Sequence, residues 1–286
     1  MIRRIRIILE MIKFEHTLFA LPYAVISTAL ALHGMKSLPV AKLLWILVAM
    51  VGARSSAMAF NRIADQEIDR RNPRTAARAL PAGQLTAAQV WVFTIITAVA
   101  FVLAAGMLNR LALILSPVAL AIIWGYSYTK RFTALSHWVL GLSLGIAPVG
   151  AWIAIRGEFA LVPLLLSAAV VLWTAGFDII YSCQDYDFDR REGLFSLPTR
   201  IGMAPALAVS SGLHVAVIGI LASLHWLSPL GAIYLAGVAF VALLFVYEHS
   251  LVKPGDLSKV NAAFFTTNGF VSVGLMAFAL ADLLIR

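Results

Sequence analysis

Apolar stretches about as long as a bilayer is thick follow one another along this chain, joined by short polar segments. Spans of roughly 17 to 25 residues cross a membrane as helices. Nine are predicted, near 16–34, 41–64, 89–107, 110–128, 137–155, 160–183, 205–223, 229–247 and 262–284. With 61% of the residues hydrophobic and 13% charged, no stretch is left over for a soluble domain or a linker. The fold class expected is therefore an all-α integral membrane protein, one polytopic domain over residues 1–286. The segment before the first span, MIRRIRIILEMIKFEH, lacks a small-residue cleavage site and runs into further spans, so it reads as retained.

Lysine and arginine sort by sidedness. Taken by alternate connections, fifteen fall on the side of the N-terminal segment, among them Arg70, Arg71, Arg74, Arg78, Lys130, Arg131, Arg190, Arg191, Arg200, Lys253 and Lys259. Lys36, Lys42, Arg110, Arg156 and Arg286 fall on the other. The positive-inside rule then puts the N-terminus and both acid clusters on the cytoplasmic side, and the membrane expected is a cell's inner (plasma) membrane. Topology and contacts with anionic membrane lipid or phosphate explain the formal charge of +8 without a nucleic-acid partner. The lone cysteine, Cys183, excludes an intrachain disulfide and reads as packing.

Against this apolar background, two acid clusters stand at the cytoplasmic ends of spans. Asn61, Asp65 and Asp69 lie within NRIADQEIDR; Asp178, Asp185 and Asp189 lie within FDIIYSCQDYDFDR. At about 100° per residue, steps of four and seven return to nearly one helix face, so each trio can share a direction, while Glu67 and Asp187 point elsewhere. Carboxylates near hydrocarbon are costly and mark functional sites. Two such sets suit a hard divalent cation, usually Mg²⁺ carrying a phosphorylated substrate. The loops after the clusters, NRIADQEIDRRNPRTAAR and QDYDFDRREGLFSLPTR, resemble each other. If they mark a duplication, two pseudo-repeated halves face their clusters into one cavity.

Other candidates surround these acids. Arg54 lies two turns before Asn61 on the same face and deep in an apolar span, where a guanidinium needs a partner. It forms either a structural ion pair or, with its bidentate fork, the anchor for the carboxylate of a small acidic substrate. Lys130 and Arg131 end the run GYSYTKR as positive-inside anchors or as diphosphate ligands; the second role is preferred for Lys130, with Arg78 a weaker candidate. Tyr126, Tyr128 and Tyr181 are either interfacial belt residues or rings that face a cationic intermediate. All six histidines, His16 and His137 included, are read as non-catalytic. No zinc spacing, phosphate-binding glycine loop, dinucleotide fingerprint or nucleophile elbow occurs.

The pattern NxxxDxxxD at Asn61, Asp65 and Asp69, then RTxxR at Arg74, Thr75 and Arg78, LPxG at Leu80, Pro81 and Gly83, and YxxQDxxxDxxxG at Tyr181, Gln184, Asp185, Asp189 and Gly193 resembles the UbiA superfamily of intramembrane prenyltransferases. The resemblance covers essentially the whole chain and implies nine transmembrane helices around a central cavity. It also implies transfer of a polyprenyl group from polyprenyl diphosphate to an aromatic hydroxy acid, with Mg²⁺ held by Asn61, Asp65, Asp69, Asp185 and Asp189. Arg54 sits where aromatic-acid members of the family carry an acceptor-binding arginine.

Two subgroups resemble the chain most: one prenylates 4-hydroxybenzoate, the other a dihydroxynaphthoate on a menaquinone route. Arg62 stands where many hydroxybenzoate enzymes have Asp, which makes the second a serious contender beside the first, and Arg54 fits either acceptor. In the mechanism so implied, Lys130 and Arg78 balance the diphosphate charge, and Asp178 aligns the acceptor or takes its ring proton. From another class, a transporter using intramembrane acids would hold its coupling sites near the bilayer midplane. These acids cluster at span ends instead.

Overall fold

The structure, a computed structural model, describes residues 2–12 and 17–285; His16 and Arg286 lie outside them. Among the described residues the regular structure is helical, with no strand. Thirteen α-helices are present: α1 Ile2–Met11, α2 Thr17–Leu32, α3 Val40–Ala64, α4 Gln66–Arg71, α5 Ala87–Leu108, α6 Arg110–Thr129, α7 Ser136–Arg156, α8 Leu161–Ser182, α9 Tyr186–Glu192, α10 Leu197–Ile201, α11 Met203–Leu227, α12 Ala232–Ser250 and α13 Asn268–Ile285. Among the described residues eight helices are long and apolar enough to cross a membrane; α2, at 16 residues, is a shorter apolar one. The last expected span begins with a π-helical turn, Ala262–Thr267, before α13. The chain divides into two compact units, Met1–Thr17 with Pro39–Tyr128, and Leu18–Leu38 with Thr129–Arg286.

Small residues and directed polar contacts hold the first unit together. Membrane helices gain nothing from hiding apolar surface that lipid would cover equally well, so close backbone approach and hydrogen bonds hold them. Gly52 of α3 lies so close to α5 that a Cβ there would stand 2.9 Å from the Thr97 carbonyl oxygen. One turn on, Ser56 Oγ donates to the Thr94 carbonyl at 3.1 Å and accepts from Trp124 Nε1 of α6 at 3.0 Å. Phe60 stacks on Trp124 with ring centroids 4.9 Å apart. Met11 and Ile12 at the end of α1 pack with Ala59, Leu80, Leu85 and Val90.

The second unit follows the same rule. On α7, Gly145 accepts Ser167 Oγ of α8 at its carbonyl, at 2.7 Å. A Cβ on Gly141 would collide with the Val171 carbonyl oxygen and lie 3.0 Å from the Val171 Cα. Gly237 of α12 receives the Phe278 ring of α13, and Gly274 of α13 receives the Phe240 ring of α12. Asp282, near the end of α13, caps the start of α12, accepting from the backbone N–H groups of Gly231 and of Ile233, the latter at 3.3 Å. Within the core, Trp173 Nε1 donates to Asn268 Oδ1 at 2.6 Å, and Asn268 Nδ2 donates to Glu248 Oε1 at 2.7 Å. The His214 and His249 rings meet beside them through Nδ1 and Nε2 at 3.0 Å.

Gly141→Ala is expected to lower the apparent melting temperature of the detergent-solubilised protein. The atoms in the way are backbone, so no rotamer change relieves the clash, and overpacking of this kind costs about 1–3 kcal/mol. Gly106→Ala, which meets only the Leu113 side chain at 3.6 Å, is the neutral control. Equal melting temperatures for the two variants would show that α7 and α8 are not in close contact.

Candidate functional site

Each acid cluster is built at the end of a long helix that continues, after a short break, into a short one. Asp65 separates α3 from α4 at φ −96°, ψ 4°. Its N–H still donates to the Asn61 carbonyl at 2.9 Å, and its own carbonyl accepts from the Asp69 N–H at 2.7 Å. In the other unit a 3₁₀ turn, Cys183–Asp185, joins α8 to α9, and Asp185 has nearly the same backbone, φ −97°, ψ 4°. This sparsely populated region of the backbone map is one where active-site residues recur. The sequence pattern treats each trio as lying along one continuous helix, whereas the structure interrupts both helices at the middle acid.

The first cluster is tied by side chains within its unit. Asn61 Nδ2 donates to Asp65 Oδ2 at 3.1 Å and to Ser127 Oγ, next to half-buried Tyr126, at 3.3 Å. Its Oδ1 accepts from Arg62 Nη1 at 3.3 Å, so the amide orientation follows from both ends of the group. Arg62 is itself buried, and its Nε donates to the Met11 carbonyl at 3.3 Å, which closes the C-terminus of α1. Asp69 accepts from Arg78 Nη1 at both carboxylate oxygens, 2.7 and 2.8 Å. Thr75 Oγ1 donates to the Asp69 carbonyl at 3.1 Å, which folds the loop carrying Arg78 back onto the cluster. Arg54 lies half-buried on α3, two turns from Asn61. Glu67 is exposed and pairs with Arg70 at 2.9 Å.

In the second cluster Asp178 is held by a residue that periodicity does not reveal. His137 Nδ1 lies 2.7 Å from Asp178 Oδ2, and His137 Nε2 accepts the Leu197 N–H at 3.1 Å. Asp185 and Asp189 are half-buried and Asp187 is exposed. The α9 helix ends at Gly193, where φ is +67°, a turn that glycine takes without strain. The segment after it is pinned by the Leu194 N–H to the Asp189 carbonyl at 2.9 Å and the Phe195 N–H to the Lys130 carbonyl at 2.7 Å. Tyr181 packs on Phe264, ring centroids 4.1 Å apart. Cys183 is buried, as a packing residue would be.

The donors in both clusters are oxygens, five carboxylates and the amide of Asn61, which is the chemistry that Mg²⁺ takes. Among the described residues no three His, Cys, Asp or Glu side chains converge closely enough to hold a metal ion alone. Mg²⁺ usually keeps several waters and binds through one or two carboxylates together with substrate phosphates, so a sparse protein set is the expected form.

Comparison with known proteins agrees with this chemistry. The profile of the UbiA prenyltransferase family matches residues 20–272. A 4-hydroxybenzoate octaprenyltransferase of Cronobacter sakazakii is 32% identical over 240 residues, which cover 82% of this chain and 81% of that protein. The apo structure of a UbiA homologue from Aeropyrum pernix K1 superposes with a TM-score of 0.84 at 35% identity, covering 94% of this chain and 98% of that one. A UbiA homologue from Archaeoglobus fulgidus bound to DMAPP and Mg²⁺ shares the fold, with a TM-score of 0.75 at 20% identity over 98% of this chain and 99% of that one.

Proposed function

Because this chain belongs to the UbiA prenyltransferase family, we propose that it transfers a polyprenyl group from polyprenyl diphosphate to the ring of 4-hydroxybenzoate or a closely related aromatic hydroxy acid, in the biosynthesis of a membrane quinone. The carrying observation is the pair Asp65 and Asp69, 3% and 4% exposed at the end of an apolar span. Buried carboxylates are retained where cations meet them. As the family is one of enzymes, the transporter reading of these acids is not retained.

Asn61, Asp65, Asp69, Asp185 and Asp189 would hold Mg²⁺, which accompanies DMAPP in the A. fulgidus homologue. When bound, the ion would stabilise the departing diphosphate. Arg78 and Lys130 supply further positive charge to the diphosphate, and the Asp69 carboxylate keeps the Arg78 guanidinium in place beforehand. The apolar spans keep water from the allylic cation that remains. Tyr126 and Tyr181 offer it aromatic faces. Arg54 clamps the acceptor carboxylate, and Asp178 aligns the acceptor or takes the ring proton as aromaticity returns. The arginine-rich loops face the cytoplasm by the positive-inside rule, the side from which a soluble acid arrives.

A second acceptor, 1,4-dihydroxy-6-naphthoate, is favoured by one residue. Arg62 is buried against the Asn61 amide, where many hydroxybenzoate enzymes have Asp by the resemblance set out above.

The test offers both acids side by side to the purified protein with Mg²⁺ and polyprenyl diphosphates of several lengths. Mg²⁺-dependent product from 4-hydroxybenzoate is expected; product from the naphthoate alone would move the substrate to the second reading, and none from either would overturn the proposal. In the same assay Arg54→Gln is expected to raise the KM for the acid at least about tenfold, the worth of one charge-assisted hydrogen bond, while leaving the KM for the diphosphate unchanged. A rise in the diphosphate KM alone would remove Arg54 from the acceptor site.

A further inference from the structure

His137 faces two ways. Its Nε2 accepts the Leu197 N–H at 3.1 Å, so that nitrogen carries no proton in this arrangement, and the hydrogen of the neutral ring is on Nδ1, 2.7 Å from Asp178 Oδ2. The ring is 2% exposed, whereas the Asp178 side chain retains 22% of its surface. The histidine is thus sealed in while the carboxylate remains reachable. Its other partner is the first residue of α10, whose N–H has no acceptor within its own helix. The segment leading there is fixed by Ser196, whose side chain and N–H exchange hydrogen bonds with Thr199, and by the Phe195 N–H on the Lys130 carbonyl. Arg200 lies 4.3 Å over the Phe195 ring.

We propose that His137 is a positioning residue for prenyl transfer, holding the Asp178 carboxylate toward the aromatic acceptor through Nδ1–H, with its tautomer set by the Leu197 backbone. This rests on the reading above that Asp178 serves the acceptor. A hydrogen bond from imidazole fixes which Asp178 oxygen is engaged and leaves the other for the acceptor. The same arrangement links Asp178 to the segment 193–197, which begins at the Asp189 carbonyl. A shift of that segment reaches the Asp178 carboxylate through a single imidazole.

The experiment compares three variants of the full chain with the wild type. His137→Phe keeps a flat ring and removes the donor. His137→Asn puts an amide N–H near the position of Nδ1. Leu197→Pro removes the backbone donor together with the half-buried leucine side chain, at a first helical position where proline is tolerated, and after an extended residue, Ser196 at φ −136°, ψ 163°, that can precede it. For each, kcat and the KM of both substrates are measured, with diphosphate release in the absence of acceptor. His137→Phe should lower kcat/KM for the aromatic acid roughly tenfold or more, in line with a hydrogen bond to a charged group. The KM for polyprenyl diphosphate and the acceptor-free release should stay near wild type. His137→Asn should recover most of the loss, and Leu197→Pro should show a smaller loss of the same kind.

Equal impairment by Phe and Asn, or equal effects on both substrates, would overturn the proposal and leave His137 as filler. If the Phe variant does not fold, Asn at wild-type efficiency beside a weakened Leu197→Pro supports the proposal, and a normal Leu197→Pro overturns the tautomer step. Asp178→Asn is run in parallel to separate the two layers: if it is fully active, the reading of Asp178 itself fails, whereas an impaired Asp178→Asn with a normal His137→Phe sinks only the positioning role.

Discussion

Asp65→Asn and Asp185→Asn are each expected to abolish prenyl transfer, a loss of roughly 10³-fold or more, the scale on which removing one preorganised electrostatic contact acts. The substitution is nearly isosteric. An asparagine at 65 can still turn an oxygen to the Asn61 amide, which now donates to Asp65 Oδ2 at 3.1 Å, so the fold has little reason to change. What goes is a negative charge at a position 3% exposed, where water does little to screen its interaction with a cation. The matched backbone of Asp65 and Asp185, φ −96° and −97° with ψ 4° at both, makes comparable losses the expectation. Activity of purified, thermally intact variants, titrated with Mg²⁺, decides it. Full turnover by either variant would remove that acid from the metal set, and rescue by high Mg²⁺ would assign the loss to ion affinity.

The second large effect concerns stability. Asn268→Leu should lower the apparent melting temperature by about 10 °C, from a loss of roughly 3–5 kcal/mol. Asn268 is wholly buried and gives both ends of its amide to buried partners: Oδ1 takes the Trp173 N–H, and Nδ2 reaches Glu248 Oε1 and the carbonyls of Ala263 and Phe264 at 3.1 and 3.2 Å. Leucine fills similar space and leaves the indole N–H and the glutamate oxygen unmet, and orphaned buried groups carry their full desolvation cost. Combining it with Trp173→Phe should cost less than the sum of the two single changes, because the second removes a group the first had already orphaned. Strict additivity, or an unshifted melting temperature for Asn268→Leu, would show that the network carries no stability.

What could be read from the chain and what could not divide along a physical line. Spans and acids were legible because hydropathy and helical phase are local properties. The phase that set Glu67 and Asp187 apart agrees with their exposure in the structure, and Cys183 is buried. His137 and Asp178 are 41 residues apart and meet only through the packing of α7 on α8, so no periodicity joins them and the contact between them was not legible. The only hint was a polar residue at the edge of an apolar span, a signal His137 shares with ordinary interfacial residues. The network of Trp173, His214, Glu248, His249 and Asn268 was equally hidden, since its members are scattered over α8, α11, α12 and α13. Glu248 and Asn268 within apolar helices were the available clue. The breaks at Asp65 and Asp185 preserve much of the local hydrogen bonding, so neither needed a proline or glycine to announce it.

The cap that Asp282 places on α12 bears on how the polypeptide enters the bilayer during synthesis. The first N–H groups of α12 find that carboxylate only in the last turn of α13, about 50 residues later in the chain. Until it emerges they need water or headgroup oxygens, since a lone α12 in hydrocarbon would leave them unpaired. The interlocked pairs Gly237 with Phe278 and Gly274 with Phe240 likewise exist only once both helices are present. Helices α12 and α13 are thus matched to partition into lipid together, as a hairpin whose closing carboxylate lies on the second of the two helices to emerge.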